Sequence, residues 1–363
     1  MIRALINKNA LIHNVEQIKR LCPDKKIMAV VKANAYGHGI EAVVDCLYKH
    51  GIKSFAVSNI YEAETIREIA KGADILILSR TPSSYIERVI RNDFIQTISN
   101  VGNASVIQKH LKQNSGNRLR CHIKIDTGMT RFGVNTFDEL DTIMAFSQLK
   151  PEAFYTHFSD ADSIEIENRE FTAKQQAQIQ KFAEKYNMKY HAHNSAGALY
   201  HGELSGDMIR LGVSLYGYRP NTAFESPVKL KPVMTLKTDI VQIRDVPAGT
   251  PISYGRRYTA DSYRRIAVVA AGYADGYSRR HSNRGKVIIN GKLAPICGNV
   301  CMEYIMADIT DIDNVKVGDE VTIYGDEDSG ISVEDIADSL GTIPYEVTCA
   351  VAHRVERQLT IDS

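Results

Sequence analysis

The chain has 363 residues, with 44 lysines and arginines against 43 aspartates and glutamates, and a formal net charge of +1. Single hydrophobic cores usually stop growing at about 250–300 residues, so two domains are expected. The balanced charge provides no global field that would recruit nucleic acid or an anionic membrane surface, and a small neutral or zwitterionic substrate fits it better.

The sequence also lacks the signals of membrane and metal proteins. No apolar run reaches the roughly 18 residues of a membrane span, and the first residues lack the apolar stretch of a signal peptide. The six cysteines are scattered without a CxxC pair or zinc-ligand spacing, so neither a metal nor a disulfide framework is expected. The sequence therefore predicts a soluble, cytoplasmic protein.

Short β-rich apolar runs alternate with helix-like segments, such as 62–70 and 137–146, through the first part of the chain. Eight such repeats predict a closed (β/α)8 barrel over residues 8–225. An open doubly wound sheet is the alternative, because strands counted from one sequence are error-prone. The predicted strands are 26–31, 54–58, 74–79, 95–99, 119–125, 153–158, 190–194 and 208–216.

The pattern changes after Pro220, where short strand-like runs are separated by turns such as Asn290-Gly291. These runs predict a second, mainly-β domain over residues 226–363, which residues 1–7 are expected to join. The stretch 219–232 is the expected crossover. Ser332 and Asp335 form a capping box that predicts a helix start. The predicted strands of this domain are 236–243, 265–271, 286–289, 304–309 and 320–323.

Lys32 stands where the first apolar run ends, just before Ala33-Asn34-Ala35-Tyr36-Gly37-His38-Gly39. Strand ends of parallel α/β folds face the reaction cleft, and a partly desolvated lysine has a lowered pKa that suits Schiff-base chemistry. An ordinary lysine that caps a strand is the alternative, and this segment alone does not decide between them.

Other polar residues end the later strands, where a barrel would bring them into one pocket with Lys32. Arg210 stands inside an apolar run, where an unpaired charge would be costly. Singly each residue except Arg210 fits a surface or core role, but together the cations, hydroxyls and backbone amides suit a phosphate. A Schiff-base lysine opposite a phosphate site indicates pyridoxal phosphate. The set comprises Tyr36, Lys124, Arg131, His157, Asn194, Ser195, Arg210, Gly212 and Val213.

Eight ordered segments across both predicted domains resemble bacterial alanine racemases, which are pyridoxal-phosphate enzymes of the barrel fold type. The resemblance covers essentially the whole chain. It implies an isomerase that interconverts L-alanine and D-alanine and supplies D-alanine for the peptidoglycan of the cell wall. The segments are residues 29–39, 126–133, 193–196, 210–213, 253–255, 272–276, 298–302 and 343–346.

The resemblance implies that Lys32 binds the cofactor as a Schiff base and acts on one face of the substrate α-carbon, with Tyr254 on the other face. Racemisation needs two opposed groups, because one removes the α-proton and the second delivers a proton from the far side. By the same resemblance His157 would tune the basicity of Tyr254, and Arg210 would face the pyridine nitrogen. Arginine cannot give up its proton as a carboxylic acid can, so that nitrogen would stay unprotonated.

Further roles follow from the resemblance alone. Arg131 would contact the cofactor phenolate and the substrate carboxylate, which Met302 and Tyr273 would also help to bind. Lys124 matches a lysine that is carbamylated in many relatives, and an unmodified lysine is the alternative. The expected phosphate ligands are Tyr36, Ser195, Tyr345 and the amides of Gly212 and Val213.

The relatives are head-to-tail homodimers, so Tyr254, Tyr273 and Met302 are expected to enter the barrel mouth of the other subunit. Two positions depart from the family pattern. Glu303 stands where the family usually has aspartate, which affects the fine geometry of the carboxylate site. Glu356 stands where a proline is common, which we interpret as a local structural variant.

Three rival functions would use the same cofactor. A serine or broad-specificity racemase is the first, because a pocket separates a methyl from a hydroxymethyl side chain by only about 1–3 kcal/mol of binding free energy. The bulk of Tyr345 favours alanine. A barrel-type amino-acid decarboxylase would need no opposed tyrosine, so Ser253-Tyr254-Gly255 disfavours it. A non-catalytic carrier of pyridoxal phosphate would have no use for a whole β domain.

Overall fold

The computed structural model describes residues 1–114, 117–202, 204–325 and 329–361. In these ranges the first large sheet has eight parallel strands, and each strand pairs with the next one along the chain. The last strand returns to the first. The strands are Lys26–Val30, Ser54–Val57, Asp74–Ile77, Ile95–Ile98, Leu119–Lys124, Leu149–Tyr155, Tyr190–His191 and Met208–Leu211.

Backbone hydrogen bonds between the last two strands close the barrel. The Arg210 amide donates to the His193 carbonyl at 2.9 Å, and the Asp207 amide donates to the Tyr190 carbonyl at 2.9 Å. The predicted (β/α)8 barrel is confirmed, and the open sheet is not what forms. The helices beside the barrel are Lys8–Leu21, Ile40–Lys49, Ile60–Ile69, Ile86–Arg91, Val101–Asn114, Phe137–Met144, Ile166–Tyr186 and Ser195–Tyr200.

The first helix shows how these segments fold. Its buried side chains include Ala10, Leu11, Val15 and Ile18, which recur at three- and four-residue spacing and so share one face. The Asn7 side chain accepts a hydrogen bond from the Ala10 amide at 2.9 Å and starts the helix. The apolar face packs on the barrel, and the polar face stays toward solvent.

Two predicted strands miss the observed boundary by four or more residues at one end. The strand predicted at 153–158 is Leu149–Tyr155, because its polar first half, including Lys150 and Glu152, carries no apolar signal. The strand predicted at 208–216 stops at Leu211, since Gly212 leaves the extended conformation at φ −112° and ψ −102°. Val213–Tyr216 forms a buried 3-10 turn instead.

The second sheet contains the long strand Met234–Val246 at its centre, with a bulge between Ile240 and Gln242. The amino-terminal strand Arg3–Asn7 pairs antiparallel with it and parallel with the final strand. The second, mainly-β domain is thus confirmed. Its other strands are Pro251–Ile252, Tyr258–Thr259, Arg264–Val269, Lys286–Ile289, Lys292–Pro295, Ile305–Asp308, Glu320–Tyr324 and Glu356–Thr360.

Two helices complete this domain, Val333–Leu340 and Pro344–Cys349. The first begins at Ser332, whose hydroxyl accepts from the Asp335 amide at 3.0 Å while the Asp335 carboxylate accepts from the Ser332 amide at 2.9 Å. The predicted capping box is confirmed. Among the described residues, no helix combines the length and apolar character that crossing a bilayer would require.

Candidate active site

A cavity of about 510 Å³ opens at the carboxyl ends of the barrel strands. Eleven of the residues predicted for the site line it, and all but Tyr345 lie at or after the ends of barrel strands that are far apart in the sequence. The eleven are Lys32, Tyr36, Lys124, Arg131, His157, Asn194, Ser195, Arg210, Gly212, Val213 and Tyr345.

The charges of this lining have one sign. Four lining side chains are cationic, and among the residues that the structure describes none of the lining side chains is a carboxylate. Like charges gathered in a partly enclosed site repel one another unless an anion joins them. The cavity is therefore built for an anionic ligand. The four cations are Lys32, Lys124, Arg131 and Arg210.

Lys32 opens a short helix, Lys32–Tyr36, that is mostly left-handed. Its last four residues, Ala33 to Tyr36, have φ values between 53° and 55°. For L-residues this conformation costs roughly 1–2 kcal/mol each, so outside contacts must hold it. The Glu62 carboxylate accepts from the Ala33 amide at 2.7 Å, and Nδ1 of buried His38 bonds the carbonyls of Ala35 and Tyr36 at 3.0 and 2.9 Å.

The strain in this turn gives a stability prediction. Ala33 is exposed, and a glycine there loses no packing. We expect Ala33→Gly to raise the free energy of unfolding by about 0.5–1 kcal/mol, because relief of strain outweighs the added entropy of the unfolded chain. Ala173→Gly, at an exposed site in right-handed Ile166–Tyr186, should lower it by about 1 kcal/mol. Urea denaturation measures the free energy of unfolding of both variants. An equal decrease in the two would contradict a left-handed turn at Ala33.

Arg210 lies almost wholly inside the barrel, at 4% exposure. Its guanidinium donates to the carbonyls of Thr156 at 2.6 Å, Ala192 at 2.9 Å and His191 at 3.0 Å. Burial lowers the pKa of Arg210 to about 10, which still leaves it cationic at neutral pH. Carbonyl dipoles rather than a carboxylate thus surround this buried charge, so the charge is solvated without being neutralised.

Two histidines accept hydrogen bonds from Arg210. Nδ1 of His191 lies 2.7 Å from one guanidinium nitrogen, and Nδ1 of His157 lies 3.3 Å from the other. Burial, followed by the charge of Arg210, lowers the pKa of both rings, so both are neutral. An arginine can only donate, so the proton of each ring is on Nε2. His157 therefore has a donor left for a group in the cavity.

Both lysines of the cavity lose basicity through burial. Desolvation, followed by the charge of Arg131, lowers the pKa of Lys32. Desolvation, followed by the charge of Arg210, lowers the pKa of Lys124 to about 7. Lys124 donates to the Ile125 carbonyl at 2.8 Å. The Lys124 amine can thus act as a nucleophile or base near neutral pH, and Lys32 loses its proton more readily than an exposed lysine.

Backbone amides and hydroxyls meet at one end of the cavity. The amides of Gly212 and Ser214 donate to the Ser195 hydroxyl at 3.1 and 3.4 Å. A Cβ placed on Gly212 would lie 2.6 Å from the Tyr36 hydroxyl, so only glycine leaves this space open. Burial raises the pKa of both Tyr36 and Tyr345, which keeps their hydroxyls protonated as donors. This arrangement suits a phosphate group.

Sequence reasoning missed several lining residues. Tyr155 stacks on His191, with ring centroids 5.1 Å apart and planes at 4°. Its place two residues before His157 within the predicted strand 153–158 was an available signal. Cys349 also lines the cavity, and its thiol contributes to the electrostatics of Lys32. It arrives from a helix near the end of the chain, so no local pattern could identify it.

Three predicted site residues lie elsewhere. Tyr254, Tyr273 and Met302 belong to the β domain, are 72%, 43% and 53% exposed, and are not among the described residues that line the cavity. Backbone bonds join the loops of Tyr273 and Met302, since the Tyr273 amide donates to the Cys301 carbonyl at 3.0 Å and the Ala274 amide donates to the Met302 carbonyl at 3.1 Å. The structure thus holds two separate groups of predicted site residues.

Next to Met302, Glu303 pairs with Arg354, whose Nη1 donates to it at 3.2 Å. Arg354 Nε also donates to Asp275 at 2.8 Å. The carboxylate of Glu303 is therefore turned toward Arg354 of the same chain.

Comparison with known proteins decides the family. The model of the alanine racemase N-terminal domain matches residues 6–220, and that of the C-terminal domain matches residues 233–359. The chain belongs to the alanine racemase family. The resemblance found in the sequence segments is confirmed, and so is the enzyme class it implied, an isomerase.

Alanine racemases from distant organisms match nearly the full chain. The alanine racemase of Clostridium novyi is 38% identical, covering 98% of this chain and 94% of its own length. That of Methanococcus maripaludis is 35% identical and covers 98% of both. The solved structure of an alanine racemase from Clostridium difficile has a TM-score of 0.92 at 34% identity, covering 99% of this chain and 96% of its own.

Proposed function

We propose that this protein interconverts L-alanine and D-alanine, with pyridoxal phosphate bound in the barrel cavity and with Lys32 and Tyr254 as bases on opposite faces of the substrate α-carbon. The observation that carries the proposal is the cavity itself, which has four cations, no carboxylate among its described lining and a desolvated lysine at the first strand end. Membership of the alanine racemase family supports the substrate.

The residues of the cavity fit this cofactor. Tyr36, Ser195 and Tyr345 would bind its phosphate together with the amides of Gly212 and Val213, and Lys32 would hold its aldehyde carbon covalently. Bound pyridoxal phosphate would supply an electron sink that makes the α-proton of an attached amino acid acidic. Arg210 would donate a hydrogen bond to the ring nitrogen but would not transfer its proton, because a guanidinium remains charged.

The proposed bases move the proton between two faces. The lowered pKa of Lys32 keeps a fraction of its amine neutral, so it can take the α-proton on its own face. Tyr254 would deliver a proton from the other face. Nε2–H of His157 would donate to the tyrosine oxygen and stabilise its deprotonated form. Arg210, bonded to Nδ1 of the same ring, keeps that imidazole from becoming protonated.

The substrate carboxylate would be bound by Arg131, with the Met302 backbone and Tyr273 completing its site. Tyr345 would limit the space beside the substrate side chain, which favours a methyl group. A serine or broad-specificity racemase would use the same two bases and leave more space beside the substrate side chain. The assay below therefore determines which amino acid is preferred.

Two subunits would build each site. Tyr254, Tyr273 and Met302 are exposed on the β domain, and the cavity beside Lys32 receives none of them from the same chain within the described residues. We infer a homodimer in which each β domain inserts these residues into the barrel mouth of the partner subunit.

The two proposed domains divide this work. Residues 8–225 would bind the cofactor, with Tyr345 added from the second unit. Residues 226–363 together with 1–7 would supply the second base. Pairing of Arg3–Asn7 with Met234–Val246 supports placing the amino terminus in the second unit. The supply of D-alanine for peptidoglycan and a cytoplasmic location remain predictions from the sequence.

Lys124 gives a chemical prediction. Its pKa of about 7 leaves a neutral amine that can attack carbon dioxide, forming an N–C bond and releasing one proton. The resulting carbamate would carry a negative charge between Arg131 and Arg210. Labelled bicarbonate followed by ¹³C NMR should show a carbamate signal that grows as the pH rises through about 7 and is absent from Lys124→Arg. No such signal in the wild-type protein would leave the lysine unmodified.

The proposed function is tested by chiral chromatography of the purified protein supplied with pyridoxal phosphate and with L-alanine, L-serine or L-lysine in separate reactions. D-alanine should form fastest. Faster conversion of L-serine would make the protein a serine or broad-specificity racemase. Release of carbon dioxide without a D-amino acid would indicate a decarboxylase and overturn the proposal.

A further inference from the structure

The backbone just before Tyr254 is strained. Ser253 has φ 65° and ψ 179°, a combination that is essentially restricted to glycine because a Cβ clashes there. A serine remains in such a conformation only when its surroundings hold it. The residue that follows is the one that the proposed function makes the second base.

Asn299 holds this strained turn from two sides. The Ser253 hydroxyl donates to the Asn299 carbonyl at 2.6 Å, and the Asn299 side-chain amide donates to the Tyr254 carbonyl at 2.6 Å. Asn299 is 5% exposed, so both bonds are shielded from competing water. Neighbouring Gly298, at φ +81°, permits the close approach, since a Cβ on it would lie 2.6 Å from the Ser253 Cβ.

The segment 298–302, which contains Asn299, also contains Met302 and bonds the loop of Tyr273. Asn299 stands three residues before Met302, and the carbonyls of Cys301 and Met302 accept the amides of Tyr273 and Ala274. The turn of Tyr254 and the loops of Met302 and Tyr273 are therefore tied together through one buried asparagine.

Stability alone does not account for the serine. A glycine at position 253 would adopt the same backbone angles without steric cost. What a glycine would lack is the hydroxyl that fixes the turn to Asn299. The serine therefore imposes a strained geometry where a relaxed one was available, as is common where a side chain must be aimed.

We propose that Ser253 and Asn299 are positioning residues that fix the Tyr254 hydroxyl against the substrate, and that they act on one face of the reaction only. This rests on the proposed role of Tyr254 as the second base. Lys32 lies on the barrel, and within the described part of one chain no hydrogen bond joins it to this turn, so its half of the proton transfer should not depend on either residue.

The experiment measures deuterium wash-in at the α-carbon from each pure enantiomer of alanine, together with the melting temperature, in the cofactor-loaded enzyme. The variants are Ser253→Gly, Ser253→Ala and Asn299→Ala, with Tyr254→Phe defining which enantiomer depends on the tyrosine. Asn14→Ala is the matched control, since Asn14 is also a buried asparagine whose side-chain amide bonds two carbonyls, those of Leu215 and Lys231, far from the turn.

Ser253→Gly should melt no lower than wild type yet slow exchange on the Tyr254 face by about tenfold to a hundredfold, because a displaced base loses alignment. Exchange on the Lys32 face should be unchanged. Ser253→Ala and Asn299→Ala should show the same one-sided loss with a lower melting temperature. Asn14→Ala should lower the melting temperature and leave the ratio of the two exchange rates as in wild type.

Equal loss on both faces, or no loss on either, in Ser253→Gly and Asn299→Ala would overturn the positioning role while leaving the proposed function intact. If Tyr254→Phe itself leaves both exchange rates unaltered, the tyrosine is not the second base, and the proposed function fails together with this inference. The two failures are thus distinguished by one variant.

Discussion

Tyr254→Phe should keep proton exchange on the face served by Lys32 while interconversion of the enantiomers falls by about 10²–10⁴-fold, the usual contribution of a general acid–base group. The phenylalanine retains the ring and removes only the oxygen that would carry the proton. Because Tyr254 is largely exposed in the single chain, its loss should have little effect on stability.

Deuterium wash-in at the α-carbon of each pure enantiomer measures proton exchange on each face separately. Tyr263→Phe is the matched control, since Tyr263 is another exposed tyrosine of the β domain, and its hydroxyl bonds only Asp245 among the contacts described. Undiminished racemisation by Tyr254→Phe would remove the tyrosine from the mechanism and leave a single-base enzyme.

Lys32→Ala should abolish racemisation and the covalent attachment of pyridoxal phosphate. The lysine is the side chain at the first strand end whose amine faces the cavity with a lowered pKa. Activity should fall by several orders of magnitude, since covalent attachment and one base are lost together.

Absorption of the bound cofactor and borohydride reduction followed by peptide mass mapping measure the attachment. Lys26→Ala is the control, because Lys26 is an exposed lysine at the opposite end of the same strand. Loss of activity alone would not suffice, since misfolding has the same effect. A reducible adduct that persists in Lys32→Ala would show that another amine binds the cofactor.

The barrel followed from its apolar runs because most of its strands are bounded by turns and buried on both faces. Where that contrast fails, the boundaries move. Strand Leu149–Tyr155 begins four residues before its predicted start, because Lys150 and Glu152 interrupt its apolar run. Val213–Tyr216 is a 3-10 turn rather than the predicted strand, because its side chains are all buried and the apolar pattern of the two is the same. Burial is visible in a sequence, but the backbone angles that accompany it are not.

The site was predictable where a residue lies within a barrel strand or just past its end, as with Arg210 and Lys32. The left-handed turn after Lys32 was not, because alanine and tyrosine have no preference for positive φ. Glu62 and His38 impose it through contacts that no local pattern encodes. Tyr254 and Met302 entered only through family resemblance, because both are exposed on the β domain and no periodic pattern marks them.

The central claim, that each site combines Lys32 of one subunit with Tyr254 of the other, is tested by mixing inactive Lys32→Ala with inactive Tyr254→Phe under conditions of subunit exchange. A mixed dimer would contain one site with both defects and one with none. With random exchange about half the dimers are mixed, so recovery should approach roughly a quarter of wild-type activity if the sites act independently. If labelled subunits demonstrably exchange and no activity returns, both bases belong to one chain and the shared-site account is wrong.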